Sequence, residues 1–442
     1  MGRPVEFVTR EPGKVSMYVC GPTVYDVPHI GHGRFSLVFD ILRRYLEWQG
    51  VDVRYVSNIT DVDDNIIKRA ERDGSTMAAV AEKYEAVWWD AMDRLNVKRP
   101  DADPHATAYI DAMVELVVAL VEAGKAYEIS DGVYLSVDTV PGYGLLARQS
   151  LESLRAGARV ETLDEKRSPA DFALWKKAKA GEPSWPSPWG DGRPGWHTEC
   201  VVMSLDLLGD GFDLHGGGQD LAFPHHENER AQAVAMGREF ARHWVHNGFV
   251  EVAGEKMSKS LGNFTTLTDL LSFTDPRAYR LVVLQSHYRA PVEVTAGTVE
   301  AAASTLAGLD DFARRTADLP PAAPESAALD AFRELMDDDL DTPGVIALVS
   351  DLRRRANTAV DGGDPSAAAP LAAAVQEIAG ALGLVLAGPD QDEIDDATAA
   401  LVAARDDARA RRDFAAADRI RDELKALGWT VEDTPGGTRI HR

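Results

Sequence analysis

The stretch CGPTVYDVPHIGHGR, Cys20–Arg34, decides the fold. It holds one cysteine, two prolines, two histidines and three glycines, and it separates two segments of different periodicity. Ahead of it, VSMYVC (Val15–Cys20) is an apolar run of strand length. Behind it, Phe35, Val38, Phe39, Leu42, Tyr45 and Leu46 share one helical face, which predicts a helix from about His32 to Trp48. VDVRYVSNIT (Val51–Thr60) then predicts a second strand. Strand, helix and strand in about 45 residues form a βαβ unit and imply a parallel sheet.

A glycine-rich turn between strand and helix turns backbone N–H groups and the positive helix end toward an anion. His29 and His32 are three apart, so both imidazoles can lie on one side of the first turn. Imidazole donors suit the charge that builds on phosphate oxygens during displacement. Gly31 and Gly33 leave room for a nucleotide. Far downstream, KMSKS (Lys256–Ser260) sets Lys256 and Lys259 in a small polar loop, a cationic clamp for phosphates in the transition state.

The 442 residues predict several domains, and 45% hydrophobic with 27% charged residues is a globular composition. No run approaches the roughly 20 apolar residues that span a bilayer. MGRPVEFVTR has no apolar h-region, so the expectation is a cytoplasmic protein without a secretory signal. Two cysteines about 180 positions apart make no disulfide framework and favour metal or catalytic roles. A net charge of -24 argues against non-specific nucleic-acid binding, and a specific partner would need a local basic surface.

Helical patterns follow at about Ala78–Leu95 and Thr107–Ala123, and DGVYLSV predicts a hairpin strand. From Ser168 to Trp196 the density of Gly, Pro and Trp predicts a loop-like insertion. GFDLHGGGQD predicts a strand running into a glycine loop, and a helix is expected from about Pro224. WVHNGFVEVAGEKMSKSLGN predicts a hairpin and then a mobile loop. After Asp275 the pattern is almost wholly helical, with boundaries at Thr316–Ser326 and Leu386–Glu393. RARRDFAAADRIRDELKALGW predicts one helix with a basic face, and TVEDTPGGTRIHR a terminal hairpin turning at Pro435–Gly437.

HIGH and KMSKS, in this order and about 225 residues apart, resemble the class I aminoacyl-tRNA synthetases. The resemblance implies ATP with Mg²⁺, attack of an amino-acid carboxylate on the α-phosphate, and transfer to a tRNA 3′ end. It gives His29 and His32 to the phosphates, and Lys259, helped by Lys256, to the pentavalent phosphorus.

Doubly wound folds bind ligands at the carboxyl ends of their strands, where the two halves meet. Cys20 ends the first strand, while Cys200, His225 and Glu229 belong to the second half, the last two four apart on one helix face. Two thiolates, an imidazole and a carboxylate form a credible Zn²⁺ set, of one ion per chain. Four protein ligands are also the pattern of a closed structural site. The choice between His225 and the adjacent His226 rests on the family pattern.

CGPTVYDVPHIGHGR, NITDVDDNII, GRPGWHTEC, GGGQDLAFPHHENE and MDDDLDTPGVIALV resemble the cysteinyl-tRNA synthetases over nearly the whole chain. The resemblance implies that zinc binds the thiol of substrate L-cysteine, so that serine is rejected without an editing domain. Gly21, Thr60, Trp196 and His197 are expected around the substrate cysteine, with Trp196 as an apolar wall. Gly216, Gly217, Gly218 and Asp220 are expected on the adenosine of ATP. The C-terminal end is assigned to the anticodon of tRNA(Cys); from Ala404 onward nine Lys or Arg nearly balance eight Asp or Glu.

The expected fold is α/β: a Rossmann-type parallel-sheet catalytic domain split by an insertion, then a mostly α-helical C-terminal half. The expected order is a first catalytic half (1–113), a connective insertion (114–195) and a second catalytic half (196–250). The KMSKS and stem-contact region (251–315), a helical bundle (316–388) and the anticodon-binding region (389–442) follow. A monomer is expected. The rival is the cysteine ligase of mycothiol synthesis, which shares both nucleotide motifs and the zinc set but joins cysteine to an amino sugar. It lacks the C-terminal segment and is not expected to carry HHENE. A non-catalytic zinc-containing RNA binder has no need of a phosphate clamp.

Overall fold

A computed structural model describes residues 4–146, 165–251, 266–388, 395–434 and 437–441. The chain divides into two compact units: Met1–Ala303 with Arg333–Ile346 and Ala381–Leu384, and Ser304–Phe332 with Ala347–Gly380 and Val385–Arg442.

The first unit opens with the expected βαβ: β1 (Lys14–Val19), α1 (Ile30–Trp48) and β2 (Asp52–Ser57). Helices α2 (Asp64–Asp73), α3 (Met77–Arg94) and α4 (Ile110–Glu122) follow. Next come β3 (Ala126–Ile129), β4 (Gly132–Leu135), β5 (Phe172–Lys177) and β6 (Gly192–Pro194). The chain then runs through α5 (Trp196–Leu208), β7 (Leu214–Gly218), α6 (His225–Ala235) and β8 (His243–Asn247). Beyond these lie α7 (Leu267–Phe273) and α8 (Pro276–Leu284).

The central sheet runs β2-β1-β7-β8, with every pair parallel. Bridges Val56–Ala102 and Ile59–His105 continue it beyond β2. Strand alternation sorts β1 into two faces. Val15, Met17 and Val19 pack on α1 through Phe39 and Leu42. Tyr18 and Cys20 face the layer that contains Cys200 and Val201 of α5. Met17, Val19 and Phe39 have no exposed surface, and each such side chain contributes about 1.5–3 kcal/mol by burial. The period of β1 therefore delivers the Cys20 thiol to the α5–α6 side.

The glycines of β7 answer to the same two layers. A Cβ on Gly216 would stand 2.3 Å from the Phe39 ring, and one on Gly217 2.7 Å from the His226 imidazole. Both helices come too close for any side chain. GFDLHGGGQD is thus a strand through its glycines to Gly218, with no glycine loop before that point.

The insertion differs from its expectation. Ser168–Trp196 carries β5 and β6 of an antiparallel sheet ordered β3-β4-β5-β6. Phe172, Leu174 and Trp175 of FALWKK are buried in its core, a strand signal masked by the surrounding Gly and Pro. Among the described residues, the hairpin expected from WVHNGFVEVAGEKMSKSLGN is also absent. β8 pairs with β7, whereas Val250–Glu251 pairs in parallel with Val292–Glu293.

The C-terminal half is helical: α9 (Ala296–Thr316), α10 (Ser326–Asp337), α11 (Thr342–Asp361) and α12 (Pro365–Ala381). The single basic helix expected near the C-terminus is two helices, α13 (Asp396–Ala410) and α14 (Phe414–Ala426). Arg412 takes φ 58 between them, and the Asp413 carboxylate accepts from Ala416 N–H to start α14. That N-cap is the signal the helical periodicity hides. The hairpin β9 (Thr430–Thr434) and β10 (Gly437–His441) closes a small core of Leu424, Trp429 and Ile440. Among the described residues, no helix is long and apolar enough to cross a membrane.

Candidate active site

Cys20 follows β1, Cys200 sits on α5, and His225 and Glu229 share the first turns of α6. Their Sγ atoms lie 3.8 Å apart. Cys20 Sγ is 3.5 Å from Glu229 Oε1, Cys200 Sγ is 3.7 Å from His225 Nε2, and His225 Nε2 is 2.7 Å from Glu229 Oε1. One ligand atom from each of the four falls within 4.8 Å of the others, and all four residues are buried. Tetrahedral zinc with bonds of about 2.0–2.3 Å sets its donors roughly 3.3–3.8 Å apart. Two soft sulfurs, an imidazole and a carboxylate are a donor set of this ion; the Cys20–Cys200, Cys20–Glu229 and Cys200–His225 spacings fall in that range, while His225 and Glu229 stand closer, at the 2.7 Å of a direct hydrogen bond.

Electrostatics suit a cation at this point. Burial pushes the Cys20 thiol well up, and its hydrogen bond with Cys200 adds to that. The same bond from Cys20 lowers Cys200 to about 6 against its own burial. Burial pulls His225 down, but Glu229 and Cys200 outweigh it and raise the imidazole to about 10. Burial raises Glu229, yet the adjacent His215 and His225 hold its carboxyl well below the usual range.

The outer partners are imidazoles. His225 Nδ1 meets His197 Nδ1 at 2.8 Å, and Glu229 Oε2 meets His215 Nε2 at 2.5 Å. Such partners orient ligand side chains. His226 turns Nδ1 to His246 Nε2 at 2.8 Å and Nε2 to Cys20 Sγ at 3.4 Å. Cys20, His215, His226 and Glu229 thus form a second set that meets the same distance limit. His215 and His246 have no motif spacing to mark them in the sequence; Asn58 opens the NITDVDDNII stretch, where only Thr60 is expected at the substrate. His215 reads as a lone polar residue in an apolar strand.

Trp196 stacks on His225 with ring centroids 4.0 Å apart, and it remains 36% exposed, so it borders both the cluster and solvent. Thr60 is buried and donates to Glu199 Oε2 at 2.9 Å. Gly21 N–H donates to Asn58 Oδ1 at 2.9 Å. A Cβ on Gly21 would come within 1.5 Å of the Asn58 carbonyl oxygen, so only glycine lets the two segments close here.

At the start of α1, His29 and His32 stack with centroids 3.6 Å apart. His29 Nδ1 accepts from His32 N–H at 3.3 Å, and His32 Nδ1 accepts from His29 N–H at 3.2 Å. This reciprocal cap uses both Nδ1 lone pairs, which leaves the ring protons on Nε2. Burial lowers both imidazoles, His32 to about 3, so both are neutral near pH 7. Asp220 is close enough to oppose the shift of His29. Gly31 follows the cap, and Gly33 packs under Leu267 and Tyr279. Gly218 has its Cβ space filled by the Asp220 carboxylate. Lys256 and Lys259 lie outside the described residues. A cavity of about 860 Å³ is lined by Val15, Leu42, Leu46 and Val245, with His246 its contact with the imidazole cluster. Its size does not locate the chemistry.

Residues 6–304 match the family described as tRNA synthetases class I (C) catalytic domain. Residues 331–387 match the DALR domain, and 391–440 the cysteinyl-tRNA ligase anticodon binding domain. A cysteine–tRNA ligase of Halorhodospira halophila is 47% identical over 451 residues, covering 100% of this chain and 98% of that one. The chain belongs to the cysteinyl-tRNA ligase family. Another cysteinyl-tRNA ligase, from Heliobacterium modesticaldum, is 45% identical over 462 residues, with 98% of this chain and 96% of that one covered. Family membership makes the chain a ligase of the class I aminoacyl-tRNA synthetases. At the level of fold, it resembles Mycobacterium tuberculosis methionyl-tRNA synthetase in complex with methionyl-adenylate, with TM-score 0.62 and 16% identity. That likeness covers 84% of this chain and 89% of the other.

Proposed function

We propose that the chain joins L-cysteine to the 3′ end of tRNA(Cys) in two steps, and that it selects cysteine through zinc held by Cys20, Cys200, His225 and Glu229. The observation that carries this is the meeting of two thiols from separate halves of the catalytic fold with an imidazole and a carboxylate. When bound, zinc supplies a Lewis acid that favours a thiolate sulfur over a hydroxyl oxygen. The rest falls to the chain. Trp196 walls the pocket by its stack on His225, and Gly21, Thr60 and His197 line it.

In the first step a carboxylate oxygen of cysteine attacks the α-phosphorus of Mg²⁺–ATP and pyrophosphate leaves. The neutral His29 and His32 offer Nε2–H donors to the phosphates, because the cap holds both Nδ1 atoms. Lys259, helped by Lys256, meets the charge that grows on the phosphoryl oxygens. Gly31, Gly216, Gly217, Gly218 and Asp220 receive the nucleotide. In the second step a hydroxyl of the terminal ribose attacks the carbonyl carbon and AMP leaves.

Residues 389–442 read the anticodon in this proposal, and the match of 391–440 to an anticodon binding domain supports tRNA over an amino sugar as acceptor. The catalytic halves 1–113 and 196–250, the insertion 114–195, the KMSKS and stem-contact region 251–315 and the bundle 316–388 complete the assignment. The protein works as a cytoplasmic monomer. Cysteine-dependent ATP–pyrophosphate exchange, repeated with serine, tests the selection. Cysteine alone is expected to support exchange, and equal activation of serine would contradict the zinc selector. Added tRNA(Cys) should become charged, while an amino-sugar product would contradict the acceptor.

A further inference from the structure

We infer that Asp64 is a positioning residue: its carboxylate ties together the two walls of the amino-acid pocket and so fixes a width that excludes L-homocysteine, a thiol the metal set alone would accept. This rests on the cysteine reading of the site.

A soft metal separates a thiol from a hydroxyl, but not from the same thiol on a side chain one methylene longer. Rejecting the longer amino acid falls to the spacing of the pocket walls, where one methylene is worth about 10–200-fold in selection. One wall is Gly21 with the segment that follows β2. The other is Trp196 and His197 at the start of α5.

The second wall moves with the insertion sheet. Gly195 N–H donates to the Leu174 carbonyl of β5 at 2.8 Å, and Phe172 of β5 meets the His197 ring edge-on with centroids 5.5 Å apart. A Cβ on Gly192 would stand 2.3 Å from the Lys176 carbonyl oxygen, and one on Gly195 2.0 Å from that of Ala173. Backbone thus packs on backbone from β6 to the start of α5. The first wall is pinned to the catalytic half instead. Thr60 N–H donates to the Pro22 carbonyl at 3.0 Å, and Asp61 Oδ1 accepts from Thr107 N–H at 2.9 Å. Asp63 caps α2, and Asp64 is the first residue of that helix.

Asp64 joins the two. Lys176 Nζ of β5 donates to its Oδ2 at 3.0 Å, and Arg193 Nη2 of β6 pairs with its Oδ1. Arg193 is buried, its Nε has no partner among the described residues, and Glu182 stands 3.8 Å away. Asp64 is therefore its near anion. Burial opposes ionisation of Asp64, but Lys176 and Arg193 outweigh it and hold the carboxyl below its usual range. One carboxylate grips two adjacent strands, four residues beyond Thr60 and at a guanidinium three residues ahead of Trp196. Asp64 of NITDVDDNII and Arg193 of GRPGWHTEC have no part in the two chemical steps, and holding the walls in register gives both a role.

The test titrates zinc-loaded full-length protein calorimetrically with L-cysteine and with L-homocysteine, and measures kcat/KM for each in ATP–pyrophosphate exchange. The variants are Asp64→Asn and Lys176→Met. Glu128→Gln is the control, because Glu128 pairs with Lys177 inside the insertion sheet and does not reach the catalytic half. Zinc content and melting are recorded for each protein. Wild type is expected to prefer cysteine about 100-fold. Asp64→Asn should cut that ratio about tenfold in both binding and exchange, and Lys176→Met, which keeps the Arg193 pair, about threefold. Glu128→Gln should leave it within about twofold. Lys176→Met decides the matter if Asp64→Asn does not fold. A merely structural role would weaken both amino acids alike and leave the ratio unchanged. An unchanged ratio, an equal shift in Glu128→Gln, or a wild type that takes homocysteine as well as cysteine would overturn the inference while activation of cysteine stands. A wild type that does not activate cysteine overturns the cysteine reading itself, and this inference with it.

Discussion

Cys20 and Cys200 meet because each is the buried residue of a different element facing one layer. Replacing Cys200 by Ser keeps the shape but removes a soft donor. Zinc affinity is expected to fall by more than the roughly 10–100-fold that loss of an outer partner costs; full zinc content after dialysis against a weak chelator would contradict the assignment. His32 gives a second residue-scale prediction. Burial first, and then His29, hold its imidazole down to about 3. The unfolded chain takes up that proton near pH 6.5. Its stabilising contribution is therefore complete above about pH 6.5 and is lost as pH falls toward 3. Resolved imidazole resonances should show His32 neutral down to pH 5, and a midpoint above pH 6 would contradict the burial. At this scale the motif residues were legible in the sequence: His29, His32, Cys20, Cys200, His225 and Glu229. His215 and His246 were not, because their significance lies in cross-element hydrogen bonds. A lone His inside a strand has no spacing that announces it.

Elements show why the turn at the start of α1 keeps its place. Arg34 is 1% exposed and donates to the carbonyls of Gly248, Phe249, His287, Tyr288 and Ala290. Tyr279 O–H donates to the Ile30 carbonyl at 2.6 Å, and Leu267 N–H to that of Pro28 at 2.7 Å. The carbonyls of Gly248, Phe249, His287 and Tyr288 each keep a second donor, so Arg34→Met deprives chiefly the Ala290 carbonyl and is expected to cost about 1–3 kcal/mol. A change under about 1 kcal/mol in urea unfolding would show that this carbonyl finds another partner. In the second unit, Asp413→Ala removes the cap of α14 and should destabilise that helix by about 1 kcal/mol. Faster amide exchange at Ala416 is the readout, and unchanged protection would contradict the cap. The βαβ was legible from period alone. β5 and β6 were obscured by their Gly, Pro and Trp neighbours, and the break at Arg412 by an unbroken helical pattern.

For the whole molecule, a net charge of -24 opposes polyanion binding. If tRNA engages only local basic surface, its affinity should fall steeply with salt while ATP–pyrophosphate exchange changes little. Equal loss of both would contradict the separation of the two steps. The parallel sheet and the meeting of ligands between the two halves were legible because they follow from connection rules; the strand order was not read from the sequence. The division into units was not, since Arg333–Ile346 and Ala381–Leu384 join the first unit by packing that no local pattern encodes. Zinc-edge X-ray absorption, with and without cysteine, tests selection through a metal most directly. Two sulfur ligands are predicted for the protein alone and a third once cysteine is added. A sulfur count that cysteine leaves unchanged would contradict it.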